Sequence, residues 1–578
     1  MDAQRATISE IFNGSTQLEI PFFQRAYVWQ EDLWERFESD MEYVTETDKT
    51  HFFGSIILKE GEPPQKGDLF TARKTIVDGQ QRLTTFLIFL KVLCLKTNQL
   101  LFDHQFRIYG KQIALQVGRN DAAAFDKVMS MKKAEEIDNS EPKSRIISAF
   151  NYFVNNEEKE KLDVLLIMKN IQFVKINLAV DEDEQQIFDT INSLGVNLTT
   201  SELLKNYFFS RQTVNEYKNK WEKVFEKDDE TKAYWDTEIE AGRMKRALID
   251  IFFDAFFQQF VQDETYEVSA EDKIMYARMD KIAQSYQHFI RKYCNGDKSV
   301  VLDKLKEYAE CFHDTFNPEY CDKLIPNTYG IERMNVLIFG LKNTTLIPYV
   351  LYVSKNVSDP QELTRIFQIL ESYIMRRMVT RVSTKNYNRL FTLLIRNKVL
   401  DARSLLKKLK DSDETTTYLP MDNEVENGFQ DSHLTNLQSR GILYLIESYI
   451  RPDSSATTMQ GFNNYSLEHM MPKKWRNKWP HCTTEEEEKE RDKKILTLGN
   501  LAIIPQALNS SIRDGNWQTK KSGKGVSKPG LDACAAGLAT LQDALKEPEW
   551  TEDTIEKRGA WLAAQAKKVW TIELRSIE

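Results

Sequence analysis

Apolar residues recur at helical spacing early in the chain. Trp34, Phe37, Met41 and Val44 fall at i, i+3, i+7 and i+10, which puts them on one face of a helix. The stretch 52–58, Phe-Phe-Gly-Ser-Ile-Ile-Leu, is rich in β-formers, and a Pro/Gly/Lys loop at 63–67 separates it from a short apolar strand at 75–77. The polar turn 78–82 comes next and opens directly into the apolar run 86–95, so the pattern predicts strand, tight turn and buried helix. Residues 173–178 alternate, with Val174, Ile176 and Leu178 on one face, which predicts a further strand. An acidic start at 181–184 leads into a helix expected over 186–193, with Gly195 as its left-handed stop. Thr199 and Glu202 form a capping box for a helix over 203–209.

From 211 to about 400 the pattern is almost wholly helical, with examples at 247–260, 286–293, 301–312 and 363–378. Breakers at Asn295-Gly296-Asp297 and Asn317-Pro318 separate these segments, and no fixed-period repeat supports a solenoid. Arg376, Arg377, Arg381 and Lys385 follow an apolar helix and read as a solvated basic face, with phosphate contact as the lesser alternative. The polar segment 411–431 reads as a linker or long loop; a helix near 441–450 and a loop over 451–464 follow. The acidic run 485–490 reads as a solvated helix surface, and Lys520, Lys521, Lys524 and Lys528 among glycines as a flexible basic loop. That loop lacks the G-x-x-x-x-G-K-[ST] spacing of a Walker loop. The fold class expected is α+β, mostly α, in three parts: 1–210, a helical spacer at 211–410, and 411–578, of which 411–464 is partly linker.

Bulk composition narrows the class. A chain of 578 residues exceeds one core, and 41% hydrophobic with 11% aromatic content is that of a folded protein. No signal-peptide pattern and no membrane-length apolar run is visible, and six cysteines form no CxxC pair, so a reduced, cytoplasmic protein is expected. A net charge of −9 confines any nucleic-acid surface to a local patch.

Two stretches carry candidate chemistry. In Ile76-Val77-Asp78-Gly79-Gln80-Gln81-Arg82, Gly79 tolerates the positive φ of a tight turn, and the helix start beyond it gathers backbone N–H groups around an anion. Gln80, Gln81 and Arg82 add amide and guanidinium donors where a phosphate would sit. A structural turn is the competing reading. Upstream, Gln24 and Arg25 lie within the aromatic cluster Phe22, Phe23, Tyr27 and Trp29, where buried polar groups need partners.

The second stretch is Glu468-His469-Met470-Met471-Pro472. Asn500 follows 31 residues after His469, leading an apolar strand, and Asn509 follows nine residues later. His469 can take a proton from water near neutral pH. Glu468 and the Asn509 carbonyl are hard oxygen ligands suited to one Mg²⁺ or Mn²⁺ that keeps several waters, and such an ion stabilises charge at a scissile phosphate. Asn500 is suited to fixing the turn that aims the imidazole. His481 beside Cys482 makes half a zinc site with no second pair.

The second constellation resembles the HNH (ββα-metal) endonucleases, in the variant where Asn replaces the last His; Glu468 departs from the usual Asp. Both stretches together resemble the GmrSD-type modification-dependent restriction enzymes and their phosphorothioate-sensing relatives. The N-terminal likeness covers about 8–210, through Ile20-Pro21, Gln24-Arg25, Trp29, Phe53-Gly54-Ser55-Ile56, Asp78 to Leu83, and Ile187-Phe188 through Asn192, Gly195 and Leu198. The C-terminal likeness runs from about 461 to 570, with Trp550, Ile555, Arg558 and Trp570, and Glu371-Ser372-Tyr373 with Arg376-Arg377 fits the joining helices.

The resemblance implies a ParB/sulfiredoxin-like first domain that binds and hydrolyses GTP, UTP or ATP. Gln24, Arg25, Asp78, Gly79, Gln80, Gln81 and Arg82 would bind the nucleotide, with Asp78 and Gln81 acting in hydrolysis. It further implies a C-terminal nuclease with His469 and Asn500 as catalytic residues and Glu468 and Asn509 as metal ligands. The function expected is an antiphage, type IV modification-dependent DNA endonuclease, its partner modified phage DNA, with a homodimer left open. A phosphorothioate-dependent nickase partner and a non-cleaving, nucleotide-switched DNA-binding regulator are the alternatives.

Overall fold

The computed structural model describes residues 2–573 except 22–23, 25, 62, 65–66, 141–142, 156–161, 180–198, 210–212, 243, 278–280, 413–415, 453–458, 507–514, 526–528 and 535–536. Helices dominate and the sheets are small, so the protein is α+β and mostly α. It divides into two compact units, 1–218 and 219–578.

The first unit is built on a six-stranded mixed sheet. Its strands are β1 (Asp2–Thr7), β2 (Thr16–Glu19), β3 (His51–Glu60), β4 (Ala72–Asp78), β5 (Leu115–Gln116) and β6 (Ile171–Leu178), in the order β1-β6-β3-β4-β2-β5. The pairs β3–β6, β2–β4 and β2–β5 are parallel, and β3–β4 and β1–β6 antiparallel. Helix α1 (Glu31–Thr47) buries Trp34, Phe37, Met41 and Val44, the face its spacing predicted. Helix α2 (Gln80–Lys96) is buried nearly all round from Leu83 to Cys94, which marks a central core helix. Edge-to-face ring contacts join the layers: Phe37 meets Phe86 at 4.7 Å and Phe53 meets Phe86 at 5.0 Å.

The alternation over 173–178 put the apolar face on Val174, Ile176 and Leu178. Ile176 and Leu178 do pack together with Ile57 and Val77 in a small second cluster, but Val174 is 36% exposed. The main core takes Ile171 and Phe173 from the opposite face. The capping box at Thr199 and Glu202 opens a helix over Thr200–Phe208. The helix expected over 186–193 and its stop at Gly195 lie outside the described residues.

In the second unit the expected helices are present, as α3 (Leu248–Gln262), Ile282–Tyr293, Ser299–Thr315 and α4 (Pro360–Val379). Three expectations are corrected. The stretch read as almost wholly helical includes an antiparallel hairpin, Glu238–Ala241 with Met244–Ala247, turned at Gly242 where φ is +67°. Arg376 and Arg377 are fully buried rather than solvated. Arg376 donates to the carbonyls of Trp570 (2.6 Å) and Pro420 (3.1 Å) and pairs with Asp422 (2.7 Å). Arg377 donates to the carbonyls of Tyr418, Ser383 and Thr416, each at 2.6 Å. These carbonyls belong largely to the segment read as linker. That segment is therefore pinned, and it continues into helix α5 (Asp422–Asp431). Helix α6 (Asn436–Ile450) and the exposed, capped acidic helix Glu485–Lys494 follow.

Candidate functional site

In the first unit, β4 ends at Asp78 and α2 begins at Gln80 across Gly79, whose φ is +97°. No side chain caps the helix, so its first-turn N–H groups carry the partial positive charge of a helix start. Asp78 Oδ2 accepts from Arg82 Nη2 at 2.8 Å. The guanidinium lies across Gly54, where φ is +112° and a Cβ would stand 2.4 Å from Arg82 Nη1. Arg82 also lines a cavity of about 350 Å³ with Trp29, Arg36, His51 and Phe53.

The glutamines do different work. Gln81 clasps the preceding segment: its Oε1 accepts from Val28 N at 2.8 Å and its Nε2 donates to Ala26 O at 3.2 Å. Gln24 Nε2 donates to Ile76 O at 3.2 Å, which brings residues 24–28 against the β4–α2 junction. Gln80 and Gln24 are buried, and the Oε1 of each has no hydrogen-bond partner among the described residues. A buried hydrogen-bonded chain backs the clasp, with Tyr27 Oη at 2.7 Å from Thr85 Oγ1 and 2.9 Å from Trp34 Nε1. Burial raises the Tyr27 hydroxyl far above its ordinary range, so it stays protonated. Gln24, Asp78, Gly79, Gln80, Gln81 and Arg82 thus share one junction, while Arg25 lies outside the described residues.

In the second unit, β7 (Tyr465–His469) pairs antiparallel with β8 (Leu501–Pro505), placing His469 opposite Leu501 and Glu468 opposite Ala502. Asn500, fully buried, closes the hairpin's end. Its Oδ1 accepts from Met471 N at 2.8 Å and Trp550 Nε1 at 2.9 Å, and its Nδ2 donates to Met471 O at 2.8 Å and Ile495 O at 2.9 Å. Helix α8 (Glu552–Val569) backs this turn: Arg558 Nη1 donates to Gly499 O at 2.7 Å and Leu501 O at 2.8 Å. A Cβ on Gly499 would stand 2.2 Å from Ile555 O, so only glycine permits this approach.

His469 is half-buried, and burial together with Lys473 and Lys520 pushes its imidazole down to about 4, so it is neutral at physiological pH. Glu468 is buried beside it. The basic stretch read as a flexible loop instead contains helix α7 (Trp517–Ser522), capped by Asn516. Its Lys520 side chain is fully buried, with the ammonium on Glu468 Oε1 and on the His469 carbonyl. Lys528 and Asn509 lie outside the described residues. Among the described residues no three His, Cys, Asp or Glu side chains gather as a metal cage.

The family model described as GmrSD restriction endonuclease, N-terminal domain, matches residues 8–209, and that for the C-terminal domain of GmrSD restriction endonucleases matches residues 419–565. The chain belongs to the GmrSD restriction endonuclease family. It is accordingly a modification-dependent restriction endonuclease with DNA as its substrate. No curated protein matches the chain. The glycine turn falls within the first GmrSD match and the Glu468–His469 strand within the second. Sequence reasoning missed the part played by Lys520 in this GmrSD chain. The signal to be read was Asn516 ahead of Trp517-Gln518-Thr519-Lys520, a helix cap that places Lys520 inside a helix.

Proposed function

We propose that this GmrSD enzyme hydrolyses phosphodiesters at His469 with the help of one divalent ion, under control of a nucleotide bound at the Gly79 turn. The observation that carries the reading is the end of the 465–505 hairpin. It presents a neutral imidazole beside a buried carboxylate, on a turn fixed by all four hydrogen bonds of Asn500. A neutral imidazole is the form that accepts a proton from water. Glu468 is a hard oxygen donor of the kind a water-rich Mg²⁺ or Mn²⁺ takes from protein, and with Asn509 it would hold the ion in place of the Lys520 ammonium that sits on it. The ion would stabilise the charge developing on the scissile phosphate.

For the N-terminal site, the uncapped helix start and the Arg82 guanidinium beside it support a bound nucleoside triphosphate. Gln81 would act by holding residues 26–28 in place. The ParB/sulfiredoxin-like and ββα-metal folds are the architectures we assign to the two ends on these grounds. No helix among the described residues is long and apolar enough to cross a membrane, and we place the enzyme in the cytoplasm, acting on modified phage DNA.

One observation favours a second reading: Lys520 occupies Glu468, as it would in a DNA-binding regulator that does not cleave. Incubating the full chain with modified, phosphorothioated and plain DNA, with Mg²⁺ or Mn²⁺ and with or without GTP, UTP or ATP, decides between them. Cleavage that His469→Ala abolishes supports the nuclease. Binding without cleavage supports the regulator, and full cleavage by His469→Ala overturns the assigned site.

A further inference from the structure

Within the second unit, a cavity of about 480 Å³ is lined by Glu240, Lys342, Gly340, Arg440 and Asn463, among others. Arg440 projects from α6, donates Nη1 to Tyr465 O at 2.9 Å, and lies 4.1 Å over the Phe462 ring. Its Nε–H is buried with no acceptor among the described residues. Asn463 Nδ2 is committed to Asp322 at 3.0 Å, and Lys342 pairs with Glu240 at the half-exposed rim. Lys342 is thus balanced by Glu240, and Asp322 stands behind Asn463, which leaves the Arg440 guanidinium as the lining cation with an unmet donor. A partly desolvated guanidinium without a counter-charge is costly, and an entering anion removes that cost. One wall of the cavity is the π-helical turn Val336–Gly340, a backbone irregularity of the kind often found at binding sites.

We propose that this cavity is a phosphate subsite, in which Arg440 with Lys342 holds a backbone phosphodiester of the DNA being cut. The inference rests on the nuclease reading of the neighbouring strand and deepens it. Arg440 anchors the first residue of β7, Tyr465, and His469 is its last. Four residues of extended strand span roughly 13 Å at about 3.3 Å per residue, well within the length of a short duplex segment. A phosphate on Arg440 therefore belongs to the same stretch of duplex as one at His469. A guanidinium suits this task because it binds phosphate oxygens through a planar fork of donors.

The test uses the full chain carrying His469→Ala, in EDTA, so that the DNA stays intact. Binding of a fluorescent duplex is measured by anisotropy across a salt series, beside binding of inorganic phosphate and of a mononucleotide. Arg440→Met should weaken duplex binding several-fold, evenly across sequences, and reduce the magnitude of the salt slope by about 1. Arg440→Lys should keep most of the slope. An unchanged slope in Arg440→Met overturns the proposal. Loss of phosphate or mononucleotide binding with an unchanged duplex slope also overturns it, in favour of a free-phosphate site. Should Arg440→Met fail to fold, Lys342→Met at the exposed rim decides: a reduced slope supports the subsite and a wild-type slope overturns it. Wild-type protein that binds duplex through Arg440 yet never cleaves would sink the nuclease reading and leave the phosphate subsite standing.

Discussion

Lys520 and Glu468 form a buried ion pair in which the same ammonium also holds the backbone carbonyl of His469. Removing one partner of such a pair strands the other charge away from water, at a cost of about 3–5 kcal/mol. Lys520→Met and Glu468→Gln should each lower thermal stability strongly, while the double variant should lose much less than the sum. Thermal melts of the four proteins in a double-mutant cycle measure this, and additive losses would show that the pair carries no coupling.

The pair also bears on metal. A divalent ion and the Lys520 ammonium would draw on the same carboxylate, and cations repel. Lys520→Met should therefore take up Mn²⁺ more tightly than the wild type, and Glu468→Gln more weakly, by about tenfold each. Electron paramagnetic resonance of free Mn²⁺ reads the affinity without relying on cleavage. Equal affinities in all three proteins would remove Glu468 from the ligand set.

Much of this arrangement was legible in the sequence wherever apolar periodicity or a cap decided it. Trp34, Phe37, Met41 and Val44 share the buried face that their spacing gives, and the capping box at Thr199 opens a real helix. Apart from Val174, which is exposed, the errors concern charged residues. Arg376, Arg377 and Lys520 look solvated because a local window shows their charge and not the acceptors. Most of those are distant along the chain: Tyr418, Pro420, Glu468 and Trp570 lie between 41 and 194 residues from the side chains they receive. The hairpin at 238–247 was invisible for a related reason: its strands are short, charged and largely exposed, so burial leaves no alternating apolar mark. At the Gly79 turn, the sequence sets Gln81 and Arg82 side by side and does not separate Gln81, spent on the backbone of 26 and 28, from Arg82, which lines a cavity.

The lowered imidazole of His469 has a sign that can be checked. Its folded value of about 4 lies below the ordinary 6.5, so between these values the unfolded chain binds more protons and stability rises with pH. The contribution is complete above about pH 6.5 and is lost as pH falls toward 4. In EDTA, the stability difference between wild type and His469→Asn should follow that course and stay flat from about pH 7 to 9. Denaturant melts at each pH test it; a difference independent of pH would mean that His469 titrates normally.

At the N-terminal junction, Gln81 and Asp78 should separate structure from chemistry. Gln81→Ala removes two hydrogen bonds to the 26–28 backbone and should cost about 1–3 kcal/mol. Asp78→Ala breaks a partly exposed pair worth at most about 1 kcal/mol, so the protein should melt nearly as wild type while triphosphate hydrolysis is lost. Melting curves beside phosphate-release assays test both. Unchanged hydrolysis in Asp78→Ala would make the turn purely structural.

Gly54 ties the sheet to the same turn and gives the sharpest cycle. A Cβ there would stand 2.4 Å from Arg82 Nη1, on a backbone whose φ of +112° already disfavours any side chain. The guanidinium is the movable end of a flexible chain, so Gly54→Ala should displace it from Asp78 rather than unfold the sheet. Hydrolysis should then fall almost as far as in Arg82→Ala. In an Arg82→Ala background the clash is gone, so Gly54→Ala should add only the backbone strain, about 1–2 kcal/mol of stability, and no further loss of turnover. Equal and independent losses of turnover in the two backgrounds would mean that Gly54 acts on something other than Arg82.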